Sequence, residues 1–150
     1  MTDIGFYHLT RSSLEQALPK LLEKVISSGK RAVVRAGSEE RVQCLNAALW
    51  TYEQGSFLPH GSNREGQAEK QPIWLTGSQE NPNGSQILIV TDGAQAPDFE
   101  GYERCLEMFN GNDPDAVAAA RERWKAYRDA GHELTYWQQT ESGGWMKKDG

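Results

Sequence analysis

Apolar positions along this chain switch between two periods. Residues 4–9, Ile-Gly-Phe-Tyr-His-Leu, are short, aromatic and β-prone, and predict a first strand. Leu14, Leu18, Leu21, Leu22, Val25 and Ile26 then recur at helical spacing and give a helix one apolar face. Ser12 with Glu15, or Ser13 with Gln16, fits a capping box at its start, and Gly29 is placed to end it. Pro19 is the blemish, because inside a helix it removes a hydrogen bond. Residues 31–36, centred on Ala32, Val33 and Val34, read as a second strand. Ser38 opens a second helix through Trp50, with Val42, Leu45, Leu49 and Ala48 on its inner side.

The pattern is least regular over 55–72, which reads as a surface loop opening with a short strand around Phe57 and Leu58. Strands are expected at 73–76 and 86–91, separated by the turn signal Asn81-Pro82-Asn83-Gly84. Residues 102–109 fit a strand or a short helix equally well. Asp113 and Pro114 open the clearest helix of the chain, which runs to Ala130 and stops at Gly131. A short strand around 134–137 follows, and residues from about 140 read as a frayed tail. The strand-helix-strand-helix rhythm of the first 50 residues calls for right-handed crossovers, hence a parallel sheet with helices packed on it. One domain over 1–150 suits the length.

Composition narrows the chemistry. With 37% hydrophobic and 25% charged residues the chain is that of a globular protein, and its formal charge of −5 works against general attraction to nucleic-acid backbone. Cys44 and Cys105 form no metal-ligand spacing and are expected to be buried free thiols in a reducing compartment. The absence of a spanning apolar run and of signal-peptide features predicts a cytoplasmic protein.

The helix opened by Asp113 carries the most informative chemistry. At about 100° per residue, Ala116, Ala119, Ala120, Ala126, Tyr127 and Ala130 share one side, whose small residues are expected to sit against the sheet. Val117, Arg121, Trp124, Lys125 and Arg128 fall on the opposite side. Such a row is either a solvated charged face or a hot spot in which an exposed indole stands between cations. Its natural guest is a short acidic peptide ending in an apolar residue, with the carboxylate against a guanidinium. Single-stranded nucleic acid, stacking on the ring, is the competing guest.

Other chemistry is thinner. LTRSSLE after the first strand has no glycine-rich turn, so neither a dinucleotide fingerprint nor a Walker A loop is present, and no cofactor or metal is expected. His8, His60 and His132 have no paired-ligand spacing. Asp92 follows an apolar strand at a carboxyl edge where open α/β sheets often bind ligands. Asp92 and His60 with a nearby carboxylate would be the players of a small hydrolase or transferase, although a turn explains Asp92-Gly93 adequately.

Several blocks carry a resemblance over nearly the full length: FYHL at 6–9, GKRAVVRAGSEE at 29–40, LNAALWTYEQGSFLPHG at 45–61, QPIWLT at 71–76, PNGSQILIVTDG at 82–93 and ARERWKAYRDAGHELTYWQ at 120–138. With these the chain resembles the chi subunit, or HolC, family of bacterial DNA polymerase III. The resemblance implies a three-layer α/β/α domain with an open, partly parallel mixed sheet, Rossmann-like but lacking a phosphate loop, and favours a strand at 102–109. It implies a non-catalytic subunit that joins the clamp-loader complex through a psi subunit. It also implies binding of the acidic, phenylalanine-ended C-terminal tail of single-stranded DNA-binding protein, so that DNA is contacted mainly indirectly. Arg121, Trp124 and Lys125 match the family's tail-binding positions, with tryptophan where some members have tyrosine. Val117 stands where the family can carry a lysine, which thins the cationic rim. Trp50, Phe57 and Leu58 are candidate psi contacts, and core packing accounts for them equally well.

Overall fold

A computed structural model describes residues 3–51, 60–62, 67–91, 93–94, 96–142 and 144–148. Among these residues, seven strands and three α-helices follow in the order β1 (Asp3–Leu9), α1 (Leu14–Ser27), β2 (Ala32–Arg35), α2 (Glu39–Thr51), β3 (Ile73–Thr76), β4 (Ile87–Val90), β5 (Arg104–Asn110), α3 (Pro114–Asp129), β6 (Glu133–Gln139) and β7 (Trp145–Lys148). The stretch that periodicity left open is a strand, β5, paired in parallel with both β1 and β4. The strand expected around Phe57 and Leu58 lies outside the described residues.

The strands form one sheet in the order β3-β2-β4-β5-β1-β6-β7, parallel throughout except for the antiparallel β6–β7 pair. Alternation along each strand sends side chains to two cores. Tyr7, Leu9, Val34, Leu75, Ile89 and Met108 pack with Leu18, Leu22, Leu45 and Leu49 of α1 and α2. Ile4, Phe6, Val33, Leu88 and Phe109 face the other way, where Ala120 of α3 and Phe99 and Tyr102 cover them. The result is the expected three-layer α/β/α architecture with a mixed, mostly parallel sheet.

Local chemistry sets the helix ends. The Ser13 backbone N–H donates to Gln16 Oε1 at 3.0 Å, half of a capping box, and α1 runs unbroken through a buried Pro19. Asp113 caps α3 by accepting from the Asp115 N–H at 3.0 Å, with Pro114 at its first position. Gly131, at φ 89°, turns the chain out of α3 in the left-handed region that costs other residues energy.

Four sequence expectations need correction. Residues 145–148 form β7 where a frayed tail was expected, because β6 offers a free edge and Trp145 packs edge-on against Tyr7 at 5.1 Å. Helix α3 is rolled by about a quarter-turn from the expected orientation, given its 100° period. Its inward side is Val117, Ala120, Trp124 and Tyr127, whereas Ala119, Ala126 and Ala130 are exposed. Burying an indole and a phenol removes far more apolar area from water than burying alanine methyls, so the larger side chains win the core. Third, Cys44 is exposed on α2, while Cys105 is buried on β5, where desolvation raises its thiol pKa. Finally, core packing does not account for Trp50, which is 52% exposed at the end of α2.

Candidate peptide-binding site

β1 and β5 are neighbours, yet the helices that follow them lie on opposite faces of the sheet. Their carboxyl ends therefore form a topological switch point, the usual place for a ligand in an open α/β sheet. A crevice of about 810 Å³ opens there, lined by Ser12, Glu15, Arg41, Asp113, Ala119 and Arg123 among others. Several of its polar groups are already engaged within the protein. Glu15 and Arg41 pair at 2.7 Å, Asp113 caps α3, and Arg123 holds Glu107.

The loop after β1 is filled from within the protein. Successive backbone N–H groups of Thr10, Arg11 and Ser12 all donate to one acceptor, Gln139 Oε1, at 3.2, 2.9 and 2.9 Å. Converging backbone donors of this kind make an anion nest. Here the nest is filled by an uncharged side chain of β6, which also donates from Nε2 to Ser12 Oγ at 3.0 Å. Gln139 itself is buried, and nothing local in the sequence links it to residues 10–12.

Of the hydrolase or transferase alternative, the structure describes only His60. His60 is buried beneath Trp50, ring centroids 4.7 Å apart, and adjoins Gly61, which bridges to Trp74 on edge strand β3. Two strands, β2 and β4, lie between β3 and β5 in the sheet, so His60 stands away from the crevice. Asp92 lies outside the described residues. Among the described residues no three His, Cys, Asp or Glu side chains are grouped to hold a metal, and no helix is long and apolar enough to cross a membrane.

On its other flank α3 builds a different surface. Trp124 is half-buried, meeting Phe6 edge-on at 5.3 Å (74°) and Tyr136 at 5.6 Å (78°). Phe6 and Tyr136 lie parallel at 6.5 Å, and the Tyr136 hydroxyl shares a 2.6 Å hydrogen bond with His8 Nδ1. The indole is thereby fixed on an aromatic floor with part of its surface open. Gly111 permits the close approach below it, since a Cβ there would stand 1.9 Å from the His8 ring. Burial lowers the His8 pKa, and the positive charge of Arg121 acts in the same direction.

Arg121 and Lys125 stand exposed beside this aromatic group, and among the described residues neither has an ion-pair partner. Arg128 has only a loose 3.8 Å contact with Asp129, both side chains being more than half exposed. Val117 is half-buried against the second core. The candidate residues of α3 are thus on one flank, with the indole at its inner edge. Periodicity alone did not find Tyr136 and His8, which reach the site through the parallel pairing of β1 with β6.

The surroundings of Arg123 differ. Its guanidinium pairs with Glu107, which is 2% exposed on β5. Burial raises the Glu107 pKa, and Arg123 offsets part of that rise. Farther along the same face Arg35, 1% exposed, donates twice to Asp98 at 2.6 and 2.8 Å and once to the Ser78 carbonyl at 3.2 Å. The hydrogen bond from Arg35 holds the Asp98 carboxyl below the usual aspartate range. These two arginines are internal counter-ions.

Comparison with known proteins agrees with the blocks read from sequence. The family described as DNA polymerase III chi subunit, HolC, matches residues 1–135. The probable DNA polymerase III subunit chi of Rickettsia prowazekii (strain Madrid E) is 33% identical over 90 residues, covering 60% of this chain and 54% of that protein. The DNA polymerase III subunit chi of Escherichia coli (strain K12) is 28% identical over 82% of this chain and 84% of its own. That of Pseudomonas aeruginosa is 29% identical over 89% of this chain and 94% of its own. With a match spanning both cores and α3, the chain belongs to the DNA polymerase III chi subunit, HolC, family.

Proposed function

We propose that this protein is a non-catalytic accessory subunit of the DNA polymerase III clamp-loader complex, which it links to single-stranded DNA-binding protein by gripping that protein's acidic C-terminal tail. The observation that carries this reading is the half-open Trp124, held edge-on by Phe6 and Tyr136, beside Arg121 and Lys125, which have no ion-pair partner among the described residues. An apolar tail end covers the remaining face of the indole, its terminal carboxylate meets Arg121, and preceding acidic residues are drawn by Lys125 and Arg128. A weak single contact suffices, because coated DNA presents many tails at high local concentration.

The psi contact is assigned to the end of α2. Trp50 there is 52% exposed, as an apolar anchor for a partner chain would be. Phe57 and Leu58, its companions in the sequence reading, lie outside the described residues.

Calorimetric titration of the whole chain with an acidic peptide ending in phenylalanine tests the tail site. Binding is expected, and removal of the final phenylalanine is expected to abolish it. No heat from the intact peptide, together with binding of a single-stranded oligonucleotide, would replace the tail reader with a direct DNA binder.

A further inference from the structure

One strand beyond Tyr136, which lies under Trp124, runs β7, which belongs to no part of α3. In the antiparallel β6–β7 ladder, Lys148 lies opposite Tyr136, Lys147 opposite Trp137, Met146 opposite Gln138 and Trp145 opposite Gln139. Directly opposed residues share a face of the sheet, and neighbours along a strand alternate between faces. Trp145 is anchored on the α1/α2 face by its edge-on contact with Tyr7 at 5.1 Å. That anchor commits Met146 and Lys148 to the face that carries Tyr136 and Trp124, and Lys147 to the opposite one.

Met146 is 47% exposed, one of two large hydrophobic side chains so open among the described residues, and Lys148 is exposed beside it. Adjacent strands lie about 5 Å apart, so β7 stands one strand beyond the Tyr136 floor. The two sides of this floor are chemically alike. Arg121 and Lys125 flank an indole on α3, and Lys148 flanks a thioether on β7, all on a chain whose net charge is −5. The family match ends at residue 135, before β7.

We infer that the β6–β7 hairpin is the second wall of the peptide groove, an inference that rests on the tail-binding reading and extends it. The occupant is the same acidic peptide with an aromatic end. Met146 closes over the terminal ring from the side opposite Trp124, a contact sulfur makes well with aromatics. Lys148 receives an acidic side chain upstream of the ring, opposite in the groove to Lys125. Charge complementarity selects this occupant, because a basic or neutral segment would leave cations on both walls without counter-charge.

Fluorescence anisotropy with a labelled acidic, phenylalanine-ended peptide and the full chain provides the test. Lys148→Glu is expected to weaken binding by about five- to tenfold, and Met146→Ala by roughly threefold, as for partly exposed contacts. Lys147→Glu carries the same charge change on the same strand and is expected to stay within about twofold, since its side chain leaves on the other face. Thermal melts matching that of the parent chain confirm that β7 has not come apart. Loss in Lys147→Glu equal to that in Lys148→Glu would reduce the effect to net charge and overturn the second wall. Unchanged binding in Lys148→Glu, with binding weakened in Arg121→Ala, would also overturn it while leaving the tail site on α3 intact. Failure of the parent chain to bind the peptide would remove both.

Discussion

Arg121 and Arg123 stand two residues apart on α3, yet belong to different economies of charge. Arg123 turns toward the crevice flank and is tied to the buried Glu107; Arg121 turns toward β6 and is tied to no carboxylate among the described residues. Arg35 repeats the first pattern with Asp98, and Lys125 the second. A cation whose counter-charge is supplied by the fold contributes to stability. One left without a counter-charge beside a half-open aromatic is available to a partner. The same residue type thus stands in two settings, and the neighbour it faces decides which.

This contrast predicts that substitutions on the two sets separate cleanly into stability and binding effects. The largest stability effect is expected from Asp98→Ala, which strands a buried guanidinium and should cost about 3 kcal/mol by urea unfolding, with peptide affinity unchanged. Because the Asp98 pKa is lowered by Arg35, the pair's contribution is present above the unfolded aspartate value and is lost as pH falls through the folded value; the variant should lack that part of the acid dependence.

Arg123→Ala comes next, at roughly 2 kcal/mol, since Glu107 loses the cation that offsets its burial. The Glu107 pKa is raised, so the folded state holds its proton more tightly and stability falls as pH rises from the ordinary glutamate value toward the folded one. Removing Arg123 should steepen that fall, giving a larger deficit at pH 7 than at pH 5 in paired urea titrations.

The binding set behaves the other way. Arg121→Ala is expected to weaken the acidic peptide about tenfold, or about 1.4 kcal/mol, while stability stays within about 0.5 kcal/mol of the parent. Trp124→Tyr should have the smallest effect, less than about threefold in affinity, because a phenol keeps the edge-on contacts with Phe6 and Tyr136. A binding loss in Arg123→Ala as large as that in Arg121→Ala would break the distinction between the two flanks.

Much of the scaffold was legible in the chain. The apolar runs at 73–76 and 87–90, the capping residues of α1 and α3 and the helical repeats on α1 fixed the layers without reference to any partner. The roll of α3 was not legible, because alanine tolerates burial and exposure alike. Only the aromatic residues Phe6 of β1 and Tyr136 of β6, brought together by tertiary pairing, draw Trp124 inward. Strand β7 escaped because four residues after a glycine pair carry little periodicity, and their pairing depends on β6 and Tyr7. The family blocks located Arg121, Trp124 and Lys125. They could not show that Tyr136 and His8 support them, since those contacts join residues 128 apart in sequence.

The Gln139 contact with residues 10–12 has a wider implication. A doubly wound scaffold normally leaves its first loop ready to receive ATP, a dinucleotide or free phosphate, and would then respond to the metabolic state of the cell. By lodging an amide oxygen where such an anion would sit, this molecule withdraws that loop from competition. Whatever it tethers should stay tethered at the same strength whether nucleotide pools are full or depleted.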